Sequence, residues 1–269
     1  MKDSPALEIA SKLSQSKKYR HLCPDTLTRI SVWAVERHRS AREAEKAAKR
    51  KLHQVYAAYM TGQEMKKIEN LFAQFAPGGS PAAFDEICLQ ILDCHASSRE
   101  RIPHLSSFYQ DIKSLTGEPK SVLDLSCGLN PFTLPWLSLP PESSYRCIDI
   151  DCRLIGLIEK FLAWLPGDNA AVCGDILVST PTEKVDVALL LKSLPCLEQQ
   201  EPQCSLGLLQ SLNARHIVAS FPARSLSGRN RGMVEHYNSF MNALIPQLDA
   251  EVSTLSYPSE TVYVIRKKA

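Results

Sequence analysis

The chain has no apolar run of about 18 residues or more, which excludes an ordinary transmembrane helix. Its first residues, Met1-Lys2-Asp3-Ser4-Pro5, lack the apolar segment of a secretory signal, so a cytoplasmic protein is expected. No CxxC occurs among the nine cysteines, which excludes paired zinc-ribbon ligands and a thioredoxin-like motif. Their odd number and irregular spacing do not make a disulfide framework. The expectation is small buried hydrophobes in a reducing compartment. Cys88, Cys94 and His95 come nearest to a metal cluster but lack finger spacing, and no metal is expected. Also missing are GxGxxG and GxxxxGK[ST], the loops that cradle the phosphates of NAD and of nucleoside triphosphates.

What is present is an ordinary globular composition, 44% hydrophobic and 22% charged, with an uneven charge distribution. Residues 1–60 carry 13 Lys+Arg against 6 Asp+Glu, although the net charge of the whole chain is only +2. A basic end of this kind is the footprint of a polyanion-binding surface, and equally that of a solvated helical face.

Two patterns divide the chain. Up to about residue 118 it reads helical. Pro24-Asp25-Thr26 is a helix start, and Arg42 to Tyr59 is rich in strong helix formers. The stretch 76–81 is a break, and Phe84, Ile87, Cys88, Ile91 and Leu92 then recur at helical spacing. From Ser121 short apolar runs alternate with helical stretches, the mark of a largely parallel sheet covered by helices. Strands are predicted at Ser121–Leu125, Tyr145–Ile150, Ala171–Cys173, Val185–Leu191 and His216–Phe221. A crossover helix is predicted at Leu154–Trp164, and a late antiparallel edge strand at Thr261–Ile265. The predicted organisation is α/β, with a helical domain over 1–118 and an α/β domain over 119–269.

Open α/β sheets bind ligands at the carboxyl ends of their strands. Three such ends here are suggestive. Gly128 follows the first strand and lets backbone approach a ligand. Asp149, before Ile150, ends the second strand, where a carboxylate accepts from ribose hydroxyls. Asp175, before Ile176, ends the third, where it can accept from an adenine amino group. One glycine turn with two later acidic strand ends fits a ligand with a ribose and an adenine but no phosphates, such as S-adenosylmethionine (SAM). Each Asp alone is equally well an ordinary turn residue.

Several segments carry a more specific likeness. They are Ser16-Lys17-Lys18-Tyr19-Arg20, Lys51-Leu52-His53-Gln54-Val55-Tyr56 and His95-Ala96-Ser97-Ser98-Arg99-Glu100-Arg101. Asp124-Leu125-Ser126-Cys127-Gly128-Leu129-Asn130-Pro131 follows, then Leu191-Lys192-Ser193-Leu194-Pro195-Cys196-Leu197-Glu198. Ser220-Phe221-Pro222-Ala223-Arg224-Ser225-Leu226 and Glu260-Thr261-Val262-Tyr263 complete the set. On these residues the chain resembles the aminoglycoside-resistance 16S rRNA methyltransferases that modify N7 of guanine 1405. Ser126 stands where the family usually has Ala, and Ser98 where it has Thr; both changes are small.

The resemblance implies a Rossmann-like SAM-dependent methyltransferase domain preceded by an all-helical RNA-binding domain. It implies 16S rRNA in the small ribosomal subunit as partner and aminoglycoside resistance as outcome. It assigns Arg101 to the SAM carboxylate, which suits a guanidinium; a surface ion pair is the alternative. Leu191 is expected beside the cofactor. Nothing in the sequence fixes the oligomeric state, and a monomer is expected.

N7 of guanine carries a lone pair and no proton, so its methylation needs alignment and exclusion of water rather than a general base. The target base has to leave its stack to be reached. Glu198 is the candidate acceptor for guanine N1–H and the exocyclic amine, with a helix-terminal carboxylate as its alternative. Lys192 is the candidate for O6 or a phosphate. Pro195-Cys196 also matches the pair with which cytosine-C5 methyltransferases attack a ring covalently. Lys17, Lys18, Arg20, Lys49, Arg50 and Lys51 are expected on rRNA phosphates, as are Arg224, Arg229 and Arg231 in a basic loop. Two other readings stay open, a methyltransferase for a small molecule or protein and a non-catalytic RNA-binding module.

Overall fold

The change of pattern near Gly117 is a change of architecture. The computed structural model describes residues 3–57, 60–75, 80–223 and 232–268. The α-helices before the first strand are α1 (Asp3–Gln15), α2 (Pro24–Arg37), α3 (Ala41–Leu52), α4 (Gly62–Phe72), α5 (Pro81–Leu92), the one-turn α6 (Ala96–Arg99) and α7 (Leu105–Thr116). Their starts obey local chemistry. Pro24 and Pro81 open α2 and α5, Ser40 caps α3, and Thr61 with Glu64 forms a reciprocal capping box on α4. Each side-chain cap contributes about 1 kcal/mol. After Leu52 the helix continues as a π-helical turn over His53–Ala57.

The second half forms one seven-stranded sheet. Its strands are β1 (Ser121–Leu125), β2 (Ser144–Asp149), β3 (Asp168–Cys173), β4 (Val185–Leu191), β5 (Ala214–Pro222), β6 (Ala250–Ser256) and β7 (Glu260–Lys267). Their order is β3-β2-β1-β4-β5-β7-β6. The first five run parallel, and β7 is antiparallel to both β5 and β6. Helices α8 (Leu134–Leu137), α9 (Cys152–Leu162), α10 (Leu194–Gln200), α11 (Cys204–Ser211) and α12 (Met233–Leu244) complete the fold. The late antiparallel strand is therefore not the edge. It lies between β5 and β6, and its buried run Glu260–Ile265 reflects that inner position. The true edge, β6, escapes a sequence reading because it is mostly exposed and only partly apolar.

Packing divides the chain earlier than secondary structure does. Ile9, Leu13, Leu27, Ile30, Ala48 and Leu52 pack together as the core of α1–α3. Ile68, Ile91 and Phe108, from α4, α5 and α7, instead share a core with Val122, Leu189, Val218 and Val264 of the sheet. The helices that stand apart are thus α1–α3.

That bundle is seated on the carboxyl ends of β2 and β3. Leu22 makes an antiparallel bridge to Asp151. The Cys23 N–H donates to the Ile150 carbonyl at 2.8 Å, and the Cys152 N–H to the His21 carbonyl at 2.9 Å. One expectation for the cysteines is overturned here. Cys152, at the start of α9, and Cys173, at the end of β3, are joined as a disulfide with a Cα–Cα distance of 5.0 Å. Cys173 lies opposite Asp149 in the β2–β3 register, so the fold brings together two residues that sequence spacing leaves unrelated. Cys23, Cys88, Cys94, Cys127 and Cys147 are free and buried, as expected.

Candidate functional site

The order of strands reverses between β1 and β4, and a cavity of about 520 Å³ opens at that point beyond the strand ends. Its size is that of a small-molecule site. Gly128, Asp149, Ile150, Asp175, Ile176, Leu191, Lys192 and Arg101, predicted from distant parts of the sequence, all line it.

Backbone geometry at two strand ends is unusual. Ser126 and Gly128 after β1 have φ of 53° and 50°, and Lys192 after β4 has φ of 57°. A side chain in this left-handed region costs on the order of 1–3 kcal/mol, and such strain collects at functional sites. Lys192 is held there by its N–H, which donates to the Ser220 carbonyl and hydroxyl, each at 3.0 Å.

The carboxylates differ in what they hold. Asp149 accepts from the N–H groups of Gly128 at 2.9 Å and Asp151 at 3.1 Å, and so closes the glycine turn onto β2. Burial outweighs these hydrogen bonds and pushes its pKa up to about 6. Asp151 caps α9 and accepts from the Tyr56 hydroxyl at 2.8 Å. Burial, reinforced by that carboxylate, raises the Tyr56 pKa. Asp175 accepts on one oxygen from Thr26 at 2.7 Å and from Arg29 at 2.8 and 3.0 Å, and on the other from the Leu177 N–H at 3.0 Å. Arg29 also donates to Gln200 at 2.7 Å. The α1–α3 bundle thus holds two of the three strand ends.

A buried ionic group reaches the cavity through Arg101 and Lys192. Arg101, 4% exposed, pairs in bidentate fashion with Glu260 at 2.8 and 2.9 Å and donates to Asn130 at 3.0 Å. Burial alone would lower the Arg101 pKa; the Glu260 carboxylate overrides it, and the guanidinium holds its proton more tightly than usual. Burial likewise works against ionised Glu260, but Arg101 keeps its pKa below the ordinary value. Lys192 adds a second cation, its Nζ 2.8 Å from Glu100 and 4.0 Å from Glu260.

Glu198 is not with them. It lies outside the large cavity and accepts from the N–H groups of Gln203 at 2.7 Å and Ser205 at 2.8 Å, which fastens the start of α11. Each oxygen therefore already accepts from one backbone donor. Arg224, Arg229 and Arg231 lie outside the described residues. The other basic candidates gather at one corner. Tyr19 donates from its hydroxyl to the Lys49 carbonyl at 3.1 Å, and Lys18 lies 3.3 Å from His53. Lys17, Lys18, Arg20, Lys49 and Arg50 are exposed; Lys51 is half-buried over the Trp33 ring. Thr26, Arg29, Tyr56, Asp151, Asn130 and Glu260 went unassigned in the sequence. Tyr56, Asn130 and Glu260 stand inside the recognised segments and Thr26 in the Pro24-Asp25-Thr26 helix start, whereas nothing marked Arg29.

This donor set suits a ligand with a nucleoside at one end and an amino-acid-like group at the other, and the fold and site define an enzyme of the α/β methyltransferase class. A family model described as ribosomal RNA methyltransferase (FmrO) matches residues 15–264. A relative from Serratia marcescens, named 16S rRNA (guanine(1405)-N(7))-methyltransferase, is 35% identical over 260 residues, 97% of this chain and 98% of its own. A relative of the same name from Micromonospora echinospora is 31% identical over 263 residues, 97% of this chain and 96% of its own. The solved structure of the 16S rRNA methyltransferase RmtF in complex with S-adenosyl-L-homocysteine has a TM-score of 0.85 at 32% identity and covers 99% of each chain. The chain belongs to the FmrO family of ribosomal RNA methyltransferases.

Proposed function

We propose that this protein methylates N7 of guanine 1405 in 16S rRNA of the small ribosomal subunit, with SAM as methyl donor, and so confers aminoglycoside resistance. The observation that carries the reading is the convergence of Gly128, Asp149, Asp175, Arg101 and Lys192 on one cavity in a chain that matches the family over residues 15–264. The residues present fit SAM. Asp149 stands where ribose hydroxyls would donate, and Ile150, Ile176 and Leu191 offer apolar walls to an adenine. Asp175 Oδ1 keeps acceptor capacity beside its one N–H donor. Arg101, with Asn130 beside it, faces the carboxylate end. When bound, SAM supplies an electrophilic methyl group.

The protein's part is orientation and exclusion of water, which can lower a barrier by about 7–11 kcal/mol at most. A protonless N7 needs no base, and each carboxylate lining the cavity has at least one oxygen engaged by a hydrogen-bond donor. The α1–α3 bundle, with Lys17, Lys18, Arg20, Lys49, Arg50 and Lys51, is the docking element for rRNA, and Arg224, Arg229 and Arg231 are assigned to phosphates near the target. The place of action in this reading is the ribosome of the cytoplasm; no described helix is long and apolar enough to cross a membrane. Expression of the chain in susceptible cells should make 16S rRNA cleavable at guanine 1405 by borohydride and aniline. An uncleaved 16S rRNA from cells that contain the folded protein would refute the assignment.

A further inference from the structure

Glu198 does not line this cavity and holds the start of α11, so a guanine that enters the cavity needs another acceptor. Four carboxylates line the cavity: Glu100, Asp149, Asp151 and Asp175. The last three each receive two or more donors and lie at the ends of β2 and β3, on the side assigned to the nucleoside. Glu100 is different. Its Oε2 accepts from Lys192 at 2.8 Å, and its Oε1 has no hydrogen-bond partner among the described residues. Its side chain is 34% exposed, whereas that of Lys192 is 7% exposed. The sheet order puts Lys192 at the end of β4, across β1 from Asp149, with Pro222 at the end of β5 also lining the cavity.

We propose that Glu100 and Lys192 together read the Watson–Crick edge of the extruded guanine, a role that rests on the guanine-N7 reading above. The edge of guanine presents an acceptor, O6, then two donors, N1–H and the exocyclic amine. Lys192 and Glu100 present the complement, an ammonium donor followed by two carboxylate oxygens. The ammonium has three N–H groups; Glu100 and the Ser97 carbonyl, at 3.3 Å, take two. The third is available to O6. Glu100 Oε2 has a second lone pair for N1–H, and Oε1 accepts from the amine. Adenine offers a donor where Lys192 needs an acceptor, and uracil an acceptor where Oε1 needs a donor. Both leave buried polar groups mispaired. With the Watson–Crick edge held at β4, the N7 edge is left free for methylation.

The test compares small subunits reconstituted with guanine or with inosine at position 1405; inosine lacks only the exocyclic amine. Wild-type protein should methylate the inosine subunit roughly ten- to a hundred-fold more slowly. Glu100→Gln should lose a similar factor on guanine, keep its SAM affinity by calorimetry, and no longer distinguish the two substrates. The proposal is overturned by a wild type indifferent to inosine, or by a Glu100→Gln variant that turns over normally or still discriminates. It is equally overturned if that variant loses SAM affinity or melts early, since Glu100 would then be a structural partner of Lys192. Wild-type protein that leaves the guanine subunit unmodified removes the guanine-N7 reading itself, a result separable from the others.

Discussion

Asp149 holds the Gly128 N–H and, in the proposed function, also faces a ribose, and its protonation links the two tasks. Burial pushes its pKa up to about 6, above the roughly 3.9 of an unfolded Asp. Its contribution to stability is therefore complete below about pH 4 and lost as pH rises through 6. Cofactor affinity has the opposite sign, because ribose hydroxyls donate better to a carboxylate than to a neutral acid. Calorimetry should show SAM affinity rising between pH 5 and 7 and levelling above. Asp124, buried behind Asn130, also has a pKa pushed up to about 6 by burial, so the assignment rests on Asp149→Asn, which should bind weakly with a flattened profile. Cys196 gives a second residue-scale expectation. Its thiol packs 3.8 Å from the Val55 carbonyl and 3.7 Å from the Gln200 amide. Cys196→Ser should retain most turnover in a subunit methylation assay. An inactive, folded variant that binds SAM would revive the covalent cytosine mechanism.

At the scale of elements, two fastenings matter. Glu198 ties the end of α10 to the start of α11, so Glu198→Gln should cost about 1–3 kcal/mol in denaturant unfolding while SAM binding and turnover persist. A dead but fully stable variant would return Glu198 to the target site. Glu260, 0% exposed, joins β7 to Arg101 in the segment after α6. Glu260→Ala leaves a buried guanidinium unpaired and should cost about 3–5 kcal/mol, with a parallel loss of SAM affinity. Unchanged unfolding would mean that Asn130 and the Phe108 ring, whose centroid lies 4.6 Å from the Arg101 guanidinium carbon, suffice for Arg101. These elements also show what a sequence can disclose. The bounds of β1 and β4 were legible because both strands are apolar on both faces. The Gly128, Asp149 and Asp175 positions were legible because strand ends carry ligands in such sheets. Glu198 was legible as a candidate whose type and position fit two roles, a base acceptor or a helix-terminal carboxylate, and only the fold shows which donors reach it. The roles of Arg29 and Thr26 were not legible, because their partner Asp175 meets them only when α2 docks onto the sheet.

For the whole molecule, the asymmetry of charge becomes an asymmetry of surface. The turn after α1 and the last turn of α3 place Lys17, Lys18, Arg20, Lys49 and Arg50 on one corner of the bundle. Replacing Lys17 and Lys18 by Gln should lower the log–log salt slope of subunit binding by about 1–2 units and leave SAM affinity unchanged. A slope equal to that of wild type would make this corner an ordinary solvated face. The same bundle is tied to the sheet by the Leu22–Asp151 bridge and the hydrogen bonds beside it, contacts between residues far apart in sequence. During synthesis the first helices to emerge must therefore wait for β2 and β3 before they can settle. The bundle is made before its seat, and a nascent chain halted before Asp151 would carry its basic corner without the strand ends that anchor it.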